Sequence, residues 1–484
     1  MYHKSVILIT IDALRPDHLK NYGYHRNTAP NLKKFTRNGT TFFNAITNGP
    51  ETPSAFSSLF TSTLPLLNGG FSPLPPQKLA FPQLLKENGI STYGIHSNPN
   101  LGKFFNFHRG FDIFLDGERF KRKSGTHDNQ GFKSTFFSIL KRLINYTNLF
   151  NKLIYRLRGF NKTKSLIRNS LPFITDILLP FTPIAYNAPY VVNKVNAFLK
   201  SSERPLFLWA HFMDVHSPFN PPSKNVIAVN DTDISIKERN FLNNEVYKNP
   251  KKYTISNDVL EKLKVLYDAE INYIDSYLKQ LFDLILQKFP KDCLIIITAD
   301  HGESFFEHGF FFHQGNIYDE LLKIPLFIIE LGHDNIRKVN TPVQMIDIAP
   351  TILDYFGFSI PESFQGQSLL PLMRGEPFEQ KNYLISETYQ KDGKMKRNNE
   401  DGYKLLAIRT TDWKYIFSEQ ENEELLFRIK IDPEEKLNLI YNEISKLAEF
   451  RSVRDAHLQK VLETDEFSKI SKAITQIDFK KVNL

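Results

Sequence analysis

The chain has 484 residues and a formal net charge of +8, is 41% hydrophobic and 24% charged, and holds a single cysteine, Cys293. This composition excludes collagen, coiled coil and a wholly disordered chain, and it is enough to bury a large core. One cysteine also excludes an intramolecular disulfide, a Cys-rich zinc module and a single-chain iron–sulfur cluster, so any metal must rest on Asp, His and hydroxyl ligands.

The first element is the apolar run 6–11, read as a buried strand that ends in Asp12. It is too short for a signal peptide or a membrane span, which points to a cytoplasmic protein. The stretch NGPETPSAFSSLFTSTLP then reads as a turn-rich loop entering a helix. Unpaired N–H groups at a helix start favour an anion, so Thr52 there is either a helix cap or a nucleophile that a base or metal must activate. Between Asn129 and Thr175 there is no acid but nine Lys and Arg, with apolar residues at helical spacing. A basic amphipathic insertion over about 120–185 follows, either a packed lid or a contact for an anionic membrane. The apolar segment 171–186 holds Asp176 and three prolines and does not span a bilayer.

A second buried strand, 206–212, is followed by Asp214 and His216, and a third, 294–298, by Asp300 and His301. Between them, 259–284 has the apolar spacing of a long helix. Alternating strands and helices argue an α/β fold with a largely parallel sheet, which binds ligands at the C-terminal ends of its strands. After Gly375 the texture changes to short strands at 383–386, 403–409, 413–417 and 425–429 and a helix at 444–462. The domains expected are 1–375, carrying the site, and 376–484, a small α+β unit. Asp12, Asp214, His216, Asp300, His301 and the following His313 place oxygen and nitrogen donors at three strand ends, a pattern suited to one or two divalent ions, Zn, Mn, Mg or Ca. His18, His96 and His211 are read as structural.

The order ILITIDALRPDHLKNYGY, TPSAFSSLFTSTLP, HFMDVHSPF, ITADHGESFFEHG with YDELLKIPLFI, VQMIDIAPTILDYFG with QGQSLLPLM, then DWKYIF with IDPEEKLNL, resembles the sulfatase family of the alkaline phosphatase superfamily. The resemblance implies an α/β/α sandwich with a mixed, largely parallel sheet and a small C-terminal antiparallel sheet. It implies metal-assisted cleavage of sulfate or phosphate esters by a side chain bound to the metal. Asp12, Asp300 and His301 match family metal ligands, and Ala13 stands where many members have a second aspartate. Thr52 falls at the nucleophile position, where sulfatases carry a Cys or Ser converted to formylglycine. Neither Cys293 nor Ser54 has the surroundings for that conversion, and Phe56 stands where the supporting arginine belongs. His313, usually lysine in sulfatases, resembles the two-metal phosphodiesterase and phosphatase branches, where with Asp214 and His216 it completes a second ion site.

The function expected is hydrolysis of sulfate or phosphate esters, diesters favoured, through a metal-bound Thr52. The alternatives are phosphoryl transfer to a lipid or glycan, and a catalytically inactive, metal-stabilised binding protein. The substrate expected is an anionic ester of a glycan, lipid or nucleotide, without specific nucleic-acid binding.

Overall fold

The fold is described by a computed structural model over residues 4–68, 71, 73–116, 187–202, 205–313, 315–333, 335–391, 394–396 and 402–476. The basic insertion expected over about 120–185 lies outside these residues.

The main sheet is built from β1 (Ser5–Ile11), β2 (Thr40–Ile46), β3 (Ser91–Ile95), β4 (Ile113–Leu115), β5 (Leu206–Phe212) and β6 (Cys293–Ala299). A small hairpin, β7 (Ser304–Phe305) with β8 (Phe311–Phe312), intervenes before β9 (Lys323–Leu331), β10 (Arg337–Val339) and β11 (Val343–Gln344) complete it. The spatial order is β10-β2-β9-β6-β1-β5-β3-β4, with β11 extending the β2 edge. Only β9 opposes its neighbours, pairing antiparallel with both β2 and β6. Every residue of β1, β5 and β6 is buried. That is why these strands read as unbroken apolar runs: both faces of a central parallel strand are covered by helices.

The two faces can be told apart by the pleat. On β5, Phe207 meets Phe81, ring centroids 5.2 Å apart, and Trp209 meets Phe56, also at 5.2 Å. These contacts put the helices Thr52–Thr61 and Phe81–Glu87 on that face. Leu208 points the other way. Its register partner Tyr93 packs on Phe198 of the helix Ala188–Ser201, which lies beside the 32-residue helix Asn257–Lys288. The long helix is capped by Ser256, whose Oγ accepts the Val259 amide, and buries Leu263, Leu266, Ile274, Leu278, Leu281 and Ile285 on one stripe. The α/β/α sandwich is therefore present.

A second sheet, antiparallel throughout, holds β12 (Leu384–Lys391), β13 (Lys394–Lys396), β14 (Tyr403–Arg409), β15 (Lys414–Ser418) and β16 (Glu423–Phe427) in the order β13-β12-β14-β15-β16. Alternation again sets the faces: Leu405 and Ala407 pack with Ile46 and Leu322, while Ile408 packs with Leu447 and Phe450 of the terminal helix Ile444–Gln476. Both sheets belong to one packed unit. β12 also grips the turn ahead of the 52–61 helix, through Glu387 N–H to Asn48 O at 2.8 Å and Asn48 Nδ2–H to Ile385 O at 2.9 Å. Among the described residues, no helix is long and apolar enough to cross a membrane.

Candidate active site

Sheet register brings the strand ends level. Ile11 pairs with Phe212 on one side and with Ala299 on the other, so Asp12 and Asp300 leave adjacent strands at the same height. Ala13 turns there with φ +58°, a left-handed conformation uncommon outside glycine. Its amide donates to Asp300 Oδ1 at 3.2 Å, and its carbonyl accepts the Tyr267 hydroxyl at 2.7 Å, which fastens the turn to the long helix.

Ligand atoms of Asp12, Asp300 and His301 lie within 4.8 Å of one another, and all three residues are fully buried. His301 Nδ1–H donates to Gly302 O at 2.7 Å, so Nε2 carries the lone pair, 3.7 Å from Asp12 Oδ1 and 3.6 Å from Asp300 Oδ2. Neither of those two carboxylate oxygens has a hydrogen-bond partner. A buried carboxylate oxygen without a donor is costly unless a cation meets it, and two such oxygens with an imidazole lone pair make a donor set that suits Zn, Mn or Mg. The residues therefore fit a divalent ion.

Thr52 belongs to the same group. Glu51 is the cap residue and Thr52 the first residue of its helix. The Thr52 hydroxyl does not cap: Oγ1 lies 3.3 Å from His301 Nε2 and 3.5 Å from Asp12 Oδ2. Asn98, three residues beyond β3, donates from Nδ2 to Asp12 Oδ2 at 2.8 Å and to Thr52 Oγ1 at 3.3 Å. His211 stands behind Asp12. The Trp209 indole N–H donates to Thr10 Oγ1 at 3.0 Å, so the Thr10 hydroxyl gives its own proton to His211 Nδ1 at 2.9 Å. That leaves the proton on His211 Nε2, 3.4 Å from Asp12 Oδ2. His211 is thus a support of the site and not only of the core. Phe56 fills the space beneath, edge-on to the His211 ring at 5.0 Å, and brings no positive charge.

Of the other expected ligands, His216 and His313 stand close by. Their rings are 5.1 Å apart, and the His313 and His301 rings 4.4 Å. His216 Nδ1–H donates to Ser217 O at 2.6 Å, and His313 Nδ1 stands 3.4 Å from Glu303 Oε1. Neither histidine belongs to the ligand-spaced group found among the described residues. Asp214 does not either: its Oδ1 accepts the Ala188 amide at 2.9 Å, at the start of the 188–201 helix. Burial pushes its carboxyl up to about 6 against those backbone donors. His308 pairs with Glu320 at 2.8 Å and His18 with Asp268 at 2.6 Å, both as structural ties.

Electrostatics separates the carboxyls. Burial alone would raise Asp12, but the imidazoles of His216, His211 and His301 outweigh it and hold Asp12 well below the usual carboxylate range. Glu303 behaves similarly, burial being overcome by His313, His216 and His301. Glu51 has less help and is pushed up to about 8 by burial. Asn98 and Glu303 were not singled out from the sequence. The cue for Glu303 was its place in ADHGES; for Asn98 it was the Ser-Asn-Pro turn closing the short strand β3.

A mixed, largely parallel sheet between helical layers, with carboxylates, an imidazole and a hydroxyl at its strand ends, defines an alkaline-phosphatase-like architecture. The chain belongs to the sulfatase family, whose model (Sulfatase) matches residues 4–358; that of the N-sulphoglucosamine sulphohydrolase C-terminal region matches 306–464. A multifunctional alkaline phosphatase superfamily protein, PehA, of Trinickia caryophylli is 25% identical over 91% of each chain. An arylsulfatase of Clostridium perfringens is 27% identical over 52% of this chain and 53% of its own length, so this chain spans about half of that relative. The phosphonate monoester hydrolase of Agrobacterium radiobacter superposes with TM-score 0.64 and 17% identity, covering 96% of this chain and 95% of its own. A protein in complex with its substrate D-glucosamine-2-N,6-O-disulfate gives TM-score 0.64 and 16% identity, covering 96% and 99%. By name the arylsulfatase and the phosphonate monoester hydrolase among these relatives are ester hydrolases.

Proposed function

We propose that the protein is a metal-dependent hydrolase of phosphoric esters, diesters favoured, with Thr52 as nucleophile. The observation that carries this reading is the placement of Thr52 Oγ1, 3.3 Å from His301 Nε2 and 3.5 Å from Asp12 Oδ2, beside two carboxylate oxygens left without donors. Asp12, Asp300, His301 and Thr52 would hold a divalent cation, which would supply positive charge to attract the anionic ester and to favour loss of the hydroxyl proton.

Phosphorus is favoured over sulfur by the chemistry of a threonine ester. An aldehyde hydrate can expel sulfate by re-forming its carbonyl, whereas a threonine ester must be opened by attack at the central atom. Phe56 also leaves no guanidinium to support a hydrate. His216 and His313, each with Nδ1 facing an oxygen acceptor, present Nε2 as the acid and base that protonate the leaving alcohol and deprotonate the attacking water. The starts of the 52–61 helix N–H groups add a favourable field for an anionic centre.

The test is metal analysis of the purified protein alongside aryl phosphate diester, aryl phosphate monoester and aryl sulfate substrates. The expected result is bound metal and a preference for the diester, lost in Thr52→Ala. Aryl sulfate as the best substrate, or full turnover by Thr52→Ala, overturns the reading.

A further inference from the structure

Asn98 touches the oxygen that the proposed reaction uses. It is 2% exposed and closes β3 through a short turn in which its Oδ1 accepts the Asn100 amide at 2.8 Å. That bond fixes the carboxamide. Flipping it would set Oδ1 against the Asp12 carboxylate and Nδ2 against the Asn100 N–H, two like-signed contacts. Both Nδ2 hydrogens are therefore committed, one to Asp12 Oδ2 at 2.8 Å and one to Thr52 Oγ1 at 3.3 Å.

We propose that Asn98 is a catalytic residue whose N–H stabilises negative charge on Thr52 Oγ1 twice, once as that oxygen attacks and once as it leaves. The proposal rests on Thr52 being the nucleophile. In the first half the Oγ1–P bond forms and the bond to the leaving oxygen breaks, the threonine proton departing with the alcohol. In the second half a water oxygen bonds to phosphorus, the Oγ1–P bond breaks, and one water proton returns to Thr52 while the other stays with the phosphate product. Oγ1 gathers charge in both transition states, and a fixed donor aimed at that atom costs no reorganisation when the charge appears. A carboxamide does not take a proton at neutral pH, so Asn98 serves as donor only.

Asn98→Ala, Asn98→Asp and Thr52→Ala, each confirmed folded by circular dichroism and assayed for metal, are compared on an aryl phosphate diester. Asn98→Ala is expected to lower kcat by about 10²-fold, in burst and steady state alike, with KM within a few-fold and metal retained. Asn98→Asp keeps an acceptor for the Asn100 amide but loses the donor, so it is expected to be no better than Asn98→Ala. If Asn98 merely held the turn, Asn98→Asp would recover activity over Asn98→Ala, and that ordering overturns the proposal. Thr52→Ala inactive with Asn98→Ala near wild-type kcat overturns it while leaving the nucleophile intact. Thr52→Ala active overturns both.

Discussion

Two buried clusters of charge in this protein invite comparison. At the β1 and β6 ends, Asp12, Asp300 and His301 lie fully buried, with Asp12 Oδ1 and Asp300 Oδ2 lacking any donor. Where the C-terminal sheet meets the main domain, Asp319 and Glu435 are also buried, yet they are closed by cations. Arg409 Nη1 reaches both Asp319 oxygens at 2.6 Å, Lys414 reaches Asp319 at 2.8 Å and Glu435 at 2.6 Å, and Glu435 also accepts the Asp319 amide at 2.6 Å. Carboxylates are buried for two reasons here: to tie elements together, in which case their partners come from the chain, or to hold something the chain does not supply. The difference lies in the unfilled acceptors, not in the residue types.

That contrast can be broken by experiment. The largest effect is expected at the open cluster, where Thr52→Ala should lower turnover by at least about 10³-fold while bound metal persists; single-turnover kinetics and metal analysis check it. Asp300→Asn should lose metal and activity together, read by elemental analysis of the dialysed protein. If metal stays at full stoichiometry, the open oxygens serve some other purpose. At the closed cluster the sign reverses. Lys414→Met strands the buried Glu435 carboxylate and takes one of the cations from Asp319, and should cost about 3–5 kcal/mol in urea unfolding, with metal retained by the folded fraction. If it costs nothing, the closed cluster is not a structural tie.

The smallest effect sharpens the comparison through pH. His457, on the terminal helix, meets Glu387 of β12 at 2.5 Å, and Glu387 also accepts the Leu66 amide at 2.7 Å. Burial lowers the imidazole, but the Glu387 charge outweighs it, so His457 is held above its ordinary value near 6.5. A raised imidazole stabilises the fold fully below the unfolded value and loses that contribution as pH rises through the folded one. The gap in unfolding free energy between wild type and His457→Gln should be about 2 kcal/mol at pH 6 and shrink in alkali. An unchanged gap at pH 9 refutes the ion pair.

Much of this fold was legible because the relevant signals are local. Residues 6–11, 206–212 and 294–298 read as strands because a parallel strand covered on both faces must be apolar throughout, and they emerged as β1, β5 and β6 within a residue of those bounds. Residues 403–409 matched β14, an antiparallel strand whose last five residues are buried, with Leu405 and Ala407 packed on one side and Ile408 on the other. β2 and β9, one of the two antiparallel pairs among the described strands of the main sheet, were less legible, since direction and pairing leave no local mark.

The sequence by itself determined which strands end in Asp12 and in Asp300-His301, and that a hydroxyl-rich helix start follows a turn at Thr52, because each is a property of a few contiguous residues. Only the tertiary structure decided which of these meet. β6 and β5 flank β1 although 281 and 194 residues separate them from it along the chain, and that pairing, with its register, sets Asp12 beside Asp300. The same packing turned Asp214 to the 188–201 helix, brought His211 behind Asp12 and carried Asn98 across to Thr52. Long-range register is fixed by burial summed over the whole sheet, so no short window of sequence contains it.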